Sequence, residues 1–280
     1  MKAAVLFACV LGLVGAEKVA VKYHEKIGIP TAARIKLQES LKISGGLASY
    51  RGEHPFLAGL IITLNTGQTS VCGGSLLNQY RVLTTAQCWY DGFYEGRNVL
   101  VVLGSVTLFS GGTRVYANAI SIHPYYNANS LMNDIAMLTV PYISYNNYIK
   151  PIRLPYGFTN SFQGYSAEII GFGKRTDYSA IDENSSLRDV FVPVISNLEC
   201  NQVYGSIVTS NNLCTSGANG KGPCGGDYGG PLILRRYSGT SGQDLLIGLV
   251  SFTAAAGCQS EYPAGFTRVT SYMNWINSFL

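Results

Sequence analysis

The run Cys224-Gly225-Gly226-Asp227-Tyr228-Gly229-Gly230-Pro231 surrounds one acid and one Tyr with four glycines, between a cysteine and a proline. Two other stretches stand upstream of it. These are Leu83-Thr84-Thr85-Ala86-Gln87-Cys88 and Asn133-Asp134-Ile135-Ala136-Met137-Leu138. Around them, short β-rich runs recur, separated by Gly, Asn, Ser and Pro. They include Phe56–Leu64, Val99–Leu103, Ala167–Phe172, Val190–Ile195, Leu245–Phe252 and Gly265–Val269. This spacing predicts an all-β sandwich or barrel. The 32 glycines suit many tight turns. From Val269 to Leu280 the apolar residues Met273, Ile276 and Leu280 fall three to four apart, the period of a short helix.

The 280 residues fit one domain or two packed halves. Residues 1–16 read as a secretory signal: Lys2 is the positive end, Ala3 to Leu13 the apolar stretch and Val14-Gly15-Ala16 the cleavage site. That apolar run is too short to span a bilayer, so export and no membrane association are expected. Residues 17–42 are polar and mixed and contain no cysteine; they read as a solvated pro-segment. They carry six Lys/Arg against three Glu, which leaves thirteen of each sign in 43–280. A folded part without basic excess gives no support to nucleic-acid binding. Cys9 leaves with the signal. The six remaining cysteines are an even set for an oxidising compartment, with fifteen pairings open. No C-x-x-C or H-x-x-x-H pair occurs, so neither a metal nor a cofactor is expected. Asn184-Ser185-Ser186 is a glycosylation sequon, with Asn184 as acceptor.

The stretches around Gln87 and Tyr228 resemble the T-A-A-H-C and G-D-S-G-G-P motifs of chymotrypsin-like serine proteases, and Asn133-Asp134-Ile135-Ala136 supplies the third partner, Asp134. Cys72-Gly73-Gly74-Ser75-Leu76, Gly171-Phe172-Gly173, Ser251-Phe252 and Trp275-Ile276 follow the same order. The likeness spans 43–280 and is nearest to insect gut chymotrypsins. It implies two antiparallel six-stranded Greek-key β-barrels, about 43–150 and 151–268, with a C-terminal helix over 269–280. It implies the disulfides Cys72–Cys88, Cys200–Cys214 and Cys224–Cys258. Ile43-Ser44-Gly45-Gly46 is similar to the family's mature N-terminus. The resemblance therefore implies cutting after Lys42 by a trypsin-like activator, then pairing of the Ile43 ammonium with Asp227. It assigns Gly226 and Tyr228 amides to an oxyanion hole, and Gly222, Ser251 and Thr253 to the specificity pocket. Gly222 at its base implies an apolar preference, and Thr253 replaces a Gly at the entrance and should narrow it.

The departures decide the functional expectation. Gln87 stands where the family has His, and Tyr228 where it has Ser; Asp134 remains. A serine hydroxyl needs a neighbouring imidazole to take its proton. The amide of Gln87 has no such basicity, and Tyr228 carries its hydroxyl on a long ring that titrates near pH 10. Asp134 is left to accept a hydrogen bond from Gln87 or from Tyr228. The other histidines do not replace the lost one: His24 lies in the pro-segment, and His54 and His123 read as loop or strand-edge residues. The sequence is thus expected to encode a secreted, monomeric non-enzyme that binds peptides, protease inhibitors or another protease. The competing expectation is a serine-type endopeptidase of weak or non-standard activity.

Overall fold

The computed structural model describes residues 22–41, 50–159, 161–173, 187–237 and 242–280. The signal, the Lys42–Ile43 junction and Asn184 lie outside them. Among the described residues, thirteen strands form two antiparallel sheets. The first sheet runs in the order β5 (Thr113–Tyr116), β4 (Gly96–Leu103), β1 (Leu57–Leu64), β2 (Thr69–Asn78), β3 (Arg81–Thr84), β7 (Ala136–Thr139), β6 (Ala119–Ile122). The second is a closed barrel of β10 (Asn212–Thr215), β13 (Ala264–Arg268), β12 (Gln243–Phe252), β11 (Pro231–Tyr237), β8 (Ser166–Gly171) and β9 (Arg188–Ile195).

Six strands were expected in each barrel, and the first sheet has seven. The reason is local. The Ala117 amide still bonds the carbonyl of Val99 on β4, but the Asn118 amide bonds that of Thr139 on β7. The chain changes partner there, so β5 and β6 are one bent strand joining the two edges of the sheet.

β1 is buried on both faces. Ala58, Leu60, Ile62 and Leu64 enter one apolar cluster; Leu57 and Ile61 enter another. That is why the run Leu-Ala-Gly-Leu-Ile-Ile reads as continuously apolar instead of alternating. The three disulfides Cys72–Cys88, Cys200–Cys214 and Cys224–Cys258 are formed. The C-terminal element is a 3₁₀ turn, Val269–Tyr272, running into a helix, Met273–Asn277, which buries Ile276.

Two helices went unanticipated. The helix Ile29–Leu41 buries Thr31, Ala32 and Ile35, a helical spacing. The second, Asn197–Tyr204, starts on a capping box. Ser196 Oγ accepts from the Glu199 amide at 3.2 Å, and Glu199 Oε2 accepts from the Ser196 amide at 2.9 Å.

The two barrels meet at backbone. A Cβ on Gly73 of β2 would lie 2.7 Å from the Gly230 Cα, and one on Gly229 would lie 2.6 Å from the Gly73 carbonyl oxygen and 2.2 Å from Thr84 Oγ1. Gly229 also has φ +76°. A side chain there meets both a left-handed backbone, worth roughly 1–2 kcal/mol, and overpacking, worth about 1–3 kcal/mol. Gly67 has a similar φ of +84° with nothing within 4 Å of an added Cβ. Gly229→Ala is therefore expected to lower the urea midpoint much more than Gly67→Ala does; equal losses would show that the contact carries no packing constraint.

Candidate functional site

β3 ends at Thr84, and the chain turns through a 3₁₀ segment, Ala86–Cys88, that buries Gln87. The Gln87 amide donates to Asp134 Oδ1 at 2.9 Å. Its side-chain Nε2 donates to Asp134 Oδ2 and to the Ser251 carbonyl, the latter at 2.6 Å. Both side-chain protons are thus committed. Ser251 Oγ donates to Asp134 Oδ2 at 2.7 Å, and Thr267 Oγ1 donates to the Asp134 carbonyl at 2.7 Å. Burial raises the Asp134 carboxyl to about 6, against the opposing effect of its hydrogen bonds from Ser251 and Gln87.

Tyr228 sits on the loop between Cys224 and β11 and is buried. Its hydroxyl lies 2.7 Å from Thr253 Oγ1, and its carbonyl accepts from the Gly73 amide at 2.7 Å. Burial pushes the phenol up to about 12. Of the two alternatives expected for Asp134, the bond from Gln87 is the one present; the Tyr228 hydroxyl turns to Thr253 instead. Thr253, expected to narrow an entrance, is thereby the partner of Tyr228. Gly222 borders a cavity of 220 Å³ together with Gly171, Gly173, Lys221, Asp189 and Asp227. Asp227 is buried and accepts from the Gly173 amide at 2.7 Å and the Cys224 amide at 3.0 Å. Burial raises it also to about 6, despite those two amides. Its expected partner Ile43 is outside the described residues.

The expectation of a solvated pro-segment is wrong for residues 23–35. Tyr23 is buried, its ring 4.7 Å from that of Tyr228, and its hydroxyl donates to the Val71 carbonyl. The His24 amide donates to Asp91 Oδ2 at 2.8 Å, and His24 Nδ1 lies 2.8 Å from Ser70 Oγ. The Thr31 methyl comes 3.1 Å from where a Cβ on Gly226 would stand. Farther along, Glu39 accepts from the amides of Leu108 and Phe109. Apolar spacing through Gly28, Thr31/Ala32 and Ile35, with Pro30 near the helix start, was the available signal. His54 lies in the turn before β1, as a loop residue should, but it is buried and packs edge-on to Phe56 at 6.1 Å. His123 is half-buried, beside Tyr272 and Trp275.

The raised Asp134 fixes a sign. An acid with a folded value above its unfolded one binds extra protons in the native state between the two. Its contribution to stability is therefore present below about pH 4 and lost as pH rises through about 6. Relative to Asp134→Asn, wild-type protein should lose about 2 kcal/mol between pH 4.5 and 7.5. Urea unfolding of both at the two pH values measures this, and a gap that widens in favour of wild type at pH 7.5 would contradict the burial of a lone carboxyl.

A family model for Trypsin matches residues 43–276. The chain is 38% identical over 248 residues to a collagenase of Hypoderma lineatum, covering 88% of this chain and 89% of that protein. It is 36% identical to brachyurin of Leptuca pugilator, covering 84% and 97%. The solved structure of HL collagenase superposes with a TM-score of 0.74 at 38% identity, over 85% of this chain and 99% of that one. These matches correct the expectation of a non-enzyme: the relatives that align along most of the chain bear the names of proteases, and none of them marks an inactive branch. The paired barrels, the three disulfides and the motif order have one account: the chain belongs to the trypsin-like serine protease family, with the chymotrypsin-like fold.

Proposed function

We propose that this protein is a secreted serine-type endopeptidase of weak, non-standard turnover, acting in proteolysis with chymotrypsin-like apolar preference. The observation that carries this reading is the match to proteases along 84–88% of the chain, around a site that keeps Asp134 and the glycine loop that carries Asp227. A trypsin-like activator cuts after Lys42. The leader at residues 1–16 directs export, and among the described residues no helix is long and apolar enough to cross a membrane.

The chain's own residues set how fast such an enzyme can run. A peptide carbonyl placed at the glycine loop is polarised by the amides of Gly226 and Tyr228. Gly222 borders the 220 Å³ cavity, the room open to an aromatic or Leu side chain, while Ser251 and Thr253 stay bonded to Asp134 and Tyr228. Gln87 orients against Asp134 but takes no proton, and the Tyr228 phenol stays protonated and bonded to Thr253. What remains is positioning and charge stabilisation, which in this chemistry gives roughly 10³–10⁴ over water without a working triad. The same cleft would hold peptide segments or protease inhibitors that do not turn over.

Tyr23 and Thr31 occupy the approach to Tyr228 and Gly226, so turnover is expected only after the pro-segment has been cut and has left. The measurement is release of nitrophenol from an activated Phe or Tyr ester, by protein treated with trypsin and freed of residues 17–42. A slow, saturable rate above buffer supports the reading; a rate equal to that of heat-denatured protein overturns it.

The paired change Gln87→His with Tyr228→Ser should raise that rate by about 10³ or more, and either single change by little, because base and nucleophile act as a unit. Added Thr253→Gly should raise it further. An inert, folded and processed double variant would show that the frame around Asp134 no longer supports the family chemistry.

A further inference from the structure

Away from the cleft, six ionisable groups converge on one face of the second barrel and the turn that enters β1. Glu168 on β8 pairs across to Phe191 of β9 and Ile233 of β11. Strand alternation therefore puts Asp189 and Arg235, each two residues from those partners, on its face. Glu53 and His54 come from the turn before β1. Asp244 at the start of β12 is close enough to Glu168 and His54 to act on both.

The partners do not satisfy the set. Arg235 takes one oxygen from each of two carboxylates: Nη2 donates to Glu53 Oε1 at 2.8 Å and Nη1 to Glu168 Oε1 at 3.1 Å. Glu168 Oε2 is buried without a hydrogen-bond partner, and so are both ring nitrogens of His54, whose side chain is 1% exposed. The His54 Nε2 atom lies 3.8 Å from Asp189 Oδ1. Glu53, His54 and Asp189 each bring a ligand atom within 4.8 Å of the others. Burial raises Glu168 to about 7, with Asp189 and Asp244 adding to it and Arg235 opposing. Four acidic side chains thus gather around Arg235, and among the described residues the buried His54 imidazole has no hydrogen-bond partner.

We propose that Glu53, His54 and Asp189 form a site for one divalent transition-metal ion of the zinc class, with the free oxygen of Glu168 behind it. An imidazole with carboxylates is a zinc donor set, with bonds of about 2.0–2.2 Å and hence ligand atoms about 3.4 Å apart in a tetrahedron. His54 and Asp189 are already near that spacing, and side-chain rotation of about 1 Å closes the rest. Calcium, which wants six to eight oxygens, is poorly matched by this set. Entry is open on both sides: Asp189 borders the 220 Å³ cavity, and Glu53 and Asp244 border a groove of 680 Å³. The ion would tie the turn ahead of β1 to β9 and so cross-link the two barrels. Its ligands come from distant segments, so no spacing motif announces them; the absence of C-x-x-C and H-x-x-x-H pairs was no guide.

The test is titration of chelator-stripped full-length protein with zinc chloride against a fluorescent competing chelator, with calcium chloride as comparison. One zinc per chain is expected, undisplaced by calcium. His54→Gln and Asp189→Asn should each weaken binding by about tenfold or more, while His24→Gln leaves it unchanged. X-ray absorption of the wild-type complex gives a second readout that needs no variant: one imidazole nitrogen with carboxylate oxygens. No saturable binding, binding that survives His54→Gln, or a shell without a single imidazole would overturn the proposal.

Discussion

The close approach of Gly73 to Gly230 is the constraint on which the rest of the structure depends. Two backbones from different barrels touch with no side chain between them, and the Gly73 amide bonds the Tyr228 carbonyl at 2.7 Å. That contact fixes where the loop from Cys224 to Pro231 sits against β2 and β3. Gln87, carried on the turn after β3, and Tyr228, carried on that loop, take their places from it. The Cys72–Cys88 bond holds the same turn from the other side. A cleft built this way is insensitive to what its side chains are, and so Gln and Tyr are accommodated with the frame undisturbed.

The polar centre shows the cost of that accommodation. Asp134 has no cationic partner among the described residues, and three donors from Gln87 and Ser251 hold it in a buried place. A neutral amide and a hydroxyl stabilise a carboxylate less than a charged ring would, which is why burial wins and the group is raised. Asp227 is in the same condition, with two backbone amides as its partners. Among the described residues neither acid has a cationic partner.

The fold was legible because its signals are local and repeated: apolar runs, glycine turns, and motif order from Cys72 to Trp275. The Gln87–Asp134 bond was legible too, since the motifs that carry both residues fix their separation in space. Other features were not. The helix Asn197–Tyr204 announces itself only through Ser196 and Glu199, a capping box easily passed over in a stretch of strands. Tyr228 turning to Thr253 depends on side-chain direction, which no spacing gives. The burial of His54 and the docking of Tyr23 are long-range effects, where tertiary contacts override a polar local composition.

The docking of residues 22–41 has a consequence for what a cut after them does. The segment carries no cysteine, so nothing covalent holds it once the chain is broken beyond Leu41. While the chain is whole, Tyr23 meets Tyr228 at the effective concentration of a tethered group, on the order of millimolar for short flexible links. After the break the same contacts become an ordinary two-body equilibrium, and dilution works against them. Uncovering of the cleft is then governed by the volume into which the protein is released as much as by the cut itself. In concentrated solution the cleft stays covered longer than in dilute solution.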